Sequence, residues 1–451
     1  MPRRAHIRGD VVSTRRLPVR IAAVWDTARG YLWLSRTVAR GLKRRISGRR
    51  RHLLLLAWVF PPRISGGVYR PAALARYAIR RGWRVTVICE GAPGTIGSAG
   101  RHMLDYVGAG VRILPVVAPD LRPSVRAFPR VDGGFLNALE MTEVAVGAVA
   151  SDPPGVIVAS GPPFHSFVAA RYIGRALGAP YVLDYRDEWT ECPFSFVEVG
   201  NADRCYERAC LTGATRVLFT TESHRDHQLQ TFPELQGSRC VVIPNGWEPE
   251  EMAVAVDAPS PLAATGTRIA FVGALSNHTM PDEFLTTMAT VLARQPVLRA
   301  GLRLTFVGQK SEAAQRALRA FPFQNVLEVV DEVPRPQAMT IMRHADALLL
   351  INGSALERYR PGKLYDYLAM ETPILVYGTG GEVARVVRQF GAGCVVRSGD
   401  VEDLERALRA LGDLRGQAVK HGIREWLLEH TREKLAGRMV DVLDEIVFSP
   451  S

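Results

Sequence analysis

The stretch Arg360-Pro361-Gly362-Lys363-Leu364-Tyr365-Asp366-Tyr367-Leu368-Ala369 sets a lysine and a carboxylate three residues apart behind a Pro-Gly pair, and an apolar run at 373–377 follows. Proline pre-sets the first turn of a helix, and the free N–H groups and dipole at that end favour a bound anion. Lys363 adds positive charge at the tip, while Asp366, one turn further in, can accept from sugar hydroxyls beside a bound phosphate. This layout suits a nucleotide-sugar. Lys363 and Asp366 are therefore candidate catalytic residues, and Arg358, Arg360, Gly362, Leu364 and Tyr365 candidate contacts to the same ligand. The plainer account is a surface charge pair at i,i+3, contributing about 0.2–0.5 kcal/mol; the Pro-Gly entry and the apolar run favour the ligand role.

Three other segments place polar groups directly after apolar runs, where an open α/β sheet has its binding crevice. In Phe60-Pro61-Pro62-Arg63-Ile64-Ser65-Gly66-Gly67-Val68-Tyr69-Arg70, adjacent glycines let backbone N–H groups approach a ligand without a Cβ in the way. Gly66 and Gly67 are candidate contacts to a diphosphate or its sugar, against a simple tight turn, and Arg70 is an acceptor-side candidate. Ser160-Gly161-Pro162-Pro163-Phe164-His165 offers His165 as a proton shuttle near neutral pH, or merely as a polar cap. Asp184, Arg186, Asp187 and Glu188 crowd charge into Tyr181-Val182-Leu183-Asp184-Tyr185-Arg186-Asp187-Glu188-Trp189, which is costly unless solvated, paired or functional. Arg186 is a further acceptor-side candidate and Asp187 a third catalytic one, against a structural Arg186–Asp187 pair. Neither a dinucleotide fingerprint nor a GxxxxGK[ST] loop occurs. No Asp-x-Asp occurs either, so the simplest carboxylate clamp for a nucleotide-bound metal is missing. No metal or other cofactor is expected, and helix ends with Lys or Arg must balance the diphosphate.

At 451 residues the chain needs two or three domains. Its net charge of +12 is concentrated at one end: residues 1–51 carry fourteen Arg and one Lys against Asp10 and Asp26, a net +13, so the remainder is −1. That near-neutral body argues against a nucleic-acid partner. Residues 20–45 have the spacing of a basic amphipathic helix with Trp25, Tyr31 and Trp33 as aromatic anchors, suited to an anionic membrane surface; a solvated extension is the alternative. The six cysteines form no CxxC pairs, several lie in apolar runs, and no signal peptide or roughly 20-residue span is present. A cytoplasmic protein, peripheral on the inner membrane face, is expected.

From residue 52 the pattern alternates strand and helix, breaks at 245–266, then restarts. This predicts two doubly wound α/β domains of Rossmann type facing a cleft: an arm at 1–51, an acceptor domain at 52–250, a donor domain at 251–425 and a C-terminal crossover at 426–451, with 416–447 helical throughout.

In their order, Phe-Pro-Pro…Gly-Gly…Arg, Ser-Gly-Pro-Pro-Phe, Asp-Tyr-Arg-Asp-Glu-Trp, Val242-Ile243-Pro244-Asn245-Gly246, Phe271-Val272-Gly273, Phe306-Val307-Gly308 and Pro-Gly-Lys-Leu-Tyr-Asp-Tyr-Leu-Ala resemble the family 4 glycosyltransferases of the GT-B fold over about residues 52–448. The resemblance implies transfer of a sugar, with retention and without metal, from a nucleotide-diphospho-sugar to a hydroxyl of a polysaccharide or lipid-linked glycan. It implies Gly66, Gly67 and Gly273 near the donor, Asp366 at the ribose and Val333 beside the base. Two departures stand out. Arg358 occupies the position, eight residues before Asp366, where the family often has a carboxylate; and the loop Ala274-Leu275-Ser276-Asn277-His278-Thr279 lacks the family's phosphate-holding cations. Competing expectations are a sugar-nucleotide epimerase of the same fold, using His165, Asp187 or His278, and a membrane-docked glycan-binding scaffold.

Overall fold

A computed structural model describes residues 50–91, 96–117, 129–253, 266–378, 380–414 and 422–449. The helix expected at 20–45 lies outside the described residues. Those described form two lobes, each a parallel sheet between helices. Lobe one contains β1 (His52–Ala57), α1 (Tyr69–Arg80), β2 (Arg84–Glu90), α2 (Ser98–Val107), β3 (Val111–Val116), α3 (Phe135–Val149), β4 (Val156–Gly161), α4 (His165–Leu177), β5 (Tyr181–Tyr185), α5 (Asp203–Gly213), β6 (Arg216–Phe219), α6 (Glu222–Thr231) and β7 (Cys240–Val242). The short α7 (Pro249–Ala253) leads out of it. Lobe two contains β8 (Thr267–Val272), α8 (Asp282–Arg294), α9 (Pro296–Gly301), β9 (Leu302–Val307), α10 (Glu312–Ala320), β10 (Leu327–Val330), α11 (Arg335–His344), β11 (Ala347–Asn352), α12 (Gly362–Ala369), β12 (Ile374–Gly378), α13 (Gly381–Phe390), β13 (Gly393–Val396), α14 (Val401–Leu414) and α15 (Ile423–Glu429). The chain ends in α16 (Arg432–Phe448).

Parallel strands are covered on both faces and so read as continuous apolar runs. In β1, Leu54 and Leu56 enter one core with Phe164, Phe167 and Trp189, while Leu53 and Leu55 enter another with α1 and α16. Strand order is β3-β2-β1-β4-β5-β6-β7 in lobe one and β10-β9-β8-β11-β12-β13 in lobe two. Each order reverses direction once, between β1 and β4 and between β8 and β11. Ligands of open α/β sheets bind beyond the strand ends at such a switch point. The loops after β1, β4, β8 and β11 carry Gly66-Gly67, the approach to His165, Gly273 and Arg358–Arg360.

The expected unbroken terminal helix is corrected. The chain breaks at His430–Thr431, where Thr431 caps α16 by accepting from the Lys434 N–H at 3.3 Å. Up to that point Trp426 and Leu427 pack with lobe two. Beyond it Leu435, Met439, Val440, Val442 and Leu443 are buried in lobe one. The outgoing and returning segments run side by side: Trp247 N–H donates to His430 O, and Arg432 N–H to Trp247 O at 2.9 Å. A Cβ on Gly246 would lie 2.3 Å from His430 O, so glycine is needed at this close approach. No helix of the described residues is long and apolar enough to cross a membrane.

Because α16 completes the lobe-one core, Leu443→Ala should lower stability by about 2–5 kcal/mol through lost burial and a residual cavity. Denaturant unfolding followed by tryptophan fluorescence checks this; a loss below about 1 kcal/mol would mean that α16 rests on the surface and is not part of the core.

Candidate active site

The loops at the carboxyl ends of the two sheets touch. His278, after β8, packs edge-on against Phe194 with ring centroids 4.6 Å apart and accepts from the Ser195 N–H at 3.3 Å. Tyr69, at the start of α1, lies beneath the Arg335 guanidinium at 5.6 Å. Arg335 in turn donates to both carboxylate oxygens of Asp366 at 3.0 Å. Tyr69, two residues beyond the Gly66–Gly67 turn of lobe one, therefore meets the arginine that holds Asp366 in lobe two.

On the lobe-two side, α12 is fixed by its apolar face. Leu364 and Tyr367 are buried, the Tyr367 hydroxyl accepts from Val272 N–H at 3.0 Å, and Tyr365 stacks on Trp426. That anchoring leaves the helix tip free, with Gly362 exposed, and swings Lys363 back over β8. The Lys363 Nζ sits 4.1 Å from the Phe271 ring centroid, and a Cβ on Gly273 (φ +134°) would lie 2.9 Å from it. Gly273 is thus the point where backbone and amine come together. Burial pushes the Lys363 ammonium down to about 8, against the opposing pull of Asp366. Among the described residues Lys363 makes no ion pair. Val333 packs at the edge of the same core, just before α11.

On the lobe-one side, the turn after β5 is held by buried carboxylates: Trp189 Nε1 donates to Asp203 at 2.7 Å, and Thr190 N–H to Glu207 at 3.1 Å. Arg186 folds back and donates to the carbonyls of Gly161, Gly67 and Pro162. A Cβ on Gly67 would fall 1.9 Å from Arg186 Nη1. A side chain at Gly67 would therefore displace the Arg186 guanidinium from the Gly67 carbonyl, while Gly66 is exposed with open space around it. Burial pushes the Asp187 carboxyl up to about 6, although Arg186 pulls it down.

Several sequence-stated roles change. Arg70 is bound to Asp184 at 2.8 Å and donates to the Ile243 and Pro244 carbonyls, tying α1 to β5 and to the exit from β7 instead of facing an acceptor. Arg186 likewise spends its donors on backbone carbonyls. His165 is fully buried, edge-on to Trp58, with no hydrogen-bond partner on either ring nitrogen among the described residues; burial pushes it down to about 3, so it is neutral at physiological pH and is no shuttle there. Leu364 and Tyr365 are core side chains, leaving only their backbone for a ligand. Arg358 does not line a donor site: its guanidinium crosses to Glu188 of lobe one, with two bonds of 2.6 Å. Arg360 pairs with the buried Glu382. Besides the Arg358–Glu188 pair, the structure brings together Glu251, Arg335 and Arg432, which the sequence does not connect. Glu251 accepts from Arg335 at 2.9 Å and from Arg432 at 3.2 Å, making a chain Asp366–Arg335–Glu251–Arg432. Only the charge crowding around Glu188 and the helix-opening Pro334-Arg335-Pro336 signalled any of it. A groove of about 610 Å³ bordered by Arg171, Arg175 and Arg208 opens at the opposite end of β5 and takes no part in this site.

Residues 65–246 match the glycosyl transferase 4-like domain, and residues 266–413 match glycosyl transferases group 1. No curated protein sequence matches the chain. Among solved structures, a glycosyltransferase from Rickettsia africae superposes with a TM-score of 0.65 at 13% identity, covering 89% of this chain and 100% of that one. WaaG, a glycosyltransferase involved in lipopolysaccharide biosynthesis, gives 0.61 at 15% identity, with 87% and 99% covered. HepE of Anabaena, in complex with UDP-glucose, gives 0.59 at 13%, with 87% and 99% covered.

The unpaired, desolvated Lys363 has a measurable consequence. Its folded-state value lies below its ordinary 10.5, so the unfolded chain holds more protons between about 8 and 10.5, and stability rises with pH across that window. Lys363→Met should therefore stabilise the ligand-free protein at about pH 7, and the gain should shrink toward about pH 10. Denaturation midpoints across that range test it; a pH-independent difference would contradict the desolvated amine.

Proposed function

Because the chain belongs to the family 4-like glycosyltransferases of the GT-B fold, we propose that it moves a sugar, with retention, from a nucleotide-diphospho-sugar on lobe two to a hydroxyl of a polysaccharide or lipid-linked glycan on lobe one. The observation that carries this reading is Lys363: a cation without an ion-pair partner among the described residues, held beside Gly273 at the exposed tip of α12. With Arg358 and Arg360 already paired, Lys363 and the first N–H groups of α12 are, among the described residues of this helix tip, donors still open to a diphosphate. They stand in for the cations lacking from 274–279.

In the proposed step the bond from the anomeric carbon to the diphosphate oxygen breaks, through an oxocarbenium-like transition state. A bond to the acceptor oxygen forms on the same face, and the acceptor proton passes to the departing phosphate. Charge grows on the diphosphate as it leaves. Preorganised donors in a desolvated cleft act most strongly there, which is the task of Lys363. Asp366 orients the ribose. Asp187, with its raised carboxyl, borders the acceptor side. His165 is enclosed and held at about 3, which weakens an acid–base epimerase.

UDP- and GDP-sugars come first in the test, the former because the HepE relative was solved with UDP-glucose. A thermal-shift panel followed by detection of released nucleoside diphosphate should find a binder that turns over only with acceptor present. Asp366→Asn should lower the unfolding midpoint by loosening Arg335, and, at a temperature where the variant is still fully folded, should weaken nucleotide binding about tenfold or more. Unchanged nucleotide affinity would remove Asp366 from the donor site.

The basic segment 20–45 completes the proposal as a dock on an anionic inner-membrane surface, near a lipid-linked acceptor. Deleting residues 1–49 should reduce sedimentation with vesicles containing anionic lipid and leave nucleotide binding unchanged. Full vesicle binding by the shortened chain would place the dock elsewhere.

A further inference from the structure

We infer that Arg335 is a second recognition residue for the donor's ribose, acting with Asp366 and making the site selective for ribonucleotides over deoxyribonucleotides. The inference rests on the donor-site reading above and extends it to a side chain on a different helix.

Arg335 is the first residue of α11, two positions after Val333. Its Nη2 is shared between both oxygens of Asp366, at 3.0 Å each, and Glu251 Oε2 at 2.9 Å; its Nε also reaches Glu251, at 3.1 Å. The Tyr69 ring lies against the guanidinium at 5.6 Å. Three contacts from three segments fix its plane. Two N–H groups remain on Nη1 without a protein acceptor among the described residues, and 28% of the side chain is exposed to solvent. Arginine offers five donors in a rigid fork and a carboxylate about four acceptor sites, so neither partner is saturated by the other. Asp366 can still accept from a ribose hydroxyl, and Nη1 can donate to a ribose oxygen. A vicinal diol both donates and accepts, and it would meet an acceptor and a donor side by side.

The test is calorimetric binding of UDP, GDP and ADP, each beside its 2′-deoxy and 3′-deoxy form, to wild type, Arg335→Lys and Arg335→Met. Wild type should prefer the ribonucleotide that binds best by about 10- to 100-fold over at least one deoxy form. Arg335→Lys keeps the charge facing Asp366 and Glu251 but loses the fork; it should fold normally, with that ratio falling toward one. Arg335→Met should show the same collapse if it folds. A ratio preserved in Arg335→Lys, even with weaker overall affinity, would overturn the inference and leave Arg335 a structural partner. Binding by wild type with no ribose preference would overturn it too, while sparing the glycosyltransferase reading. A wild type that binds none of the nucleotides would remove both.

Discussion

Charge withdrawn from water where two lobes meet has to be paired there, and the arrangement of this molecule follows from how that is done. Asp366 on α12, Arg335 on α11, Glu251 on α7 and Arg432 on α16 come from four separate segments, yet each completes the next one's hydrogen bonding. Burial alone would push Glu251 up, but Arg432 and Arg335 outweigh it and hold the carboxyl below its usual range. Buried ion pairs seldom add net stability over apolar replacements, whereas removing one partner commonly costs about 3–5 kcal/mol because the other charge is stranded. The chain of charges therefore acts on geometry. It tolerates one register of the outgoing linker against the returning α16, the register in which Trp247 and Thr431 pair.

A second set of contacts makes the same point across the gap. Arg358 reaches Glu188, Tyr359 packs between Phe194 and His224, and the Thr221 hydroxyl donates to the Arg358 carbonyl at 2.6 Å. A carboxylate at 358, as the family often has, would face the fully buried Glu188 and repel it. The reversed charge in this chain instead binds lobe one. The departure seen in the sequence is thus compensated by a residue 170 positions away.

What could be read from the sequence follows from the range of the forces involved. Strand and helix alternation is a local pattern written by burial, and runs such as residues 53–56 or 347–351 could not belong to a half-exposed sheet. The helix tip at Gly362 was legible for the same reason, since proline and glycine act on their own neighbourhood. The break at His430–Thr431 was not, because the periodicity of apolar residues continues through it; Thr431 as a cap reveals itself only once Trp247 is seen beside it. Arg335 and Glu251 are 84 residues apart and Arg358 and Glu188 are 170 apart, with no local feature linking them. His165 misled because its chemistry is read from residue type, while its state is set by burial against Trp58 and Gly133.

One asymmetry among the cations bears on the chemistry. Arg358, Arg360, Arg335, Arg432 and Arg70 all face carboxylates, so each is neutralised before any ligand arrives. Lys363 is not, and the type of residue matters. Arginine stays protonated in proteins, so placing it there would leave a permanent bare charge, whereas lysine can yield its proton when desolvated. With its ammonium drawn down to about 8, Lys363 is only moderately strained when the cleft is empty. In the proposed reaction a diphosphate would supply the missing counter-charge and return the amine toward its ordinary basicity. Part of the binding free energy is then stored in the empty protein as an unpaired charge, a common setting for the trade of stability against activity. The same argument explains why Lys363 rests over the face of Phe271: an aromatic ring offers a weak, non-ionising attraction to a cation, enough to position the amine without occupying it.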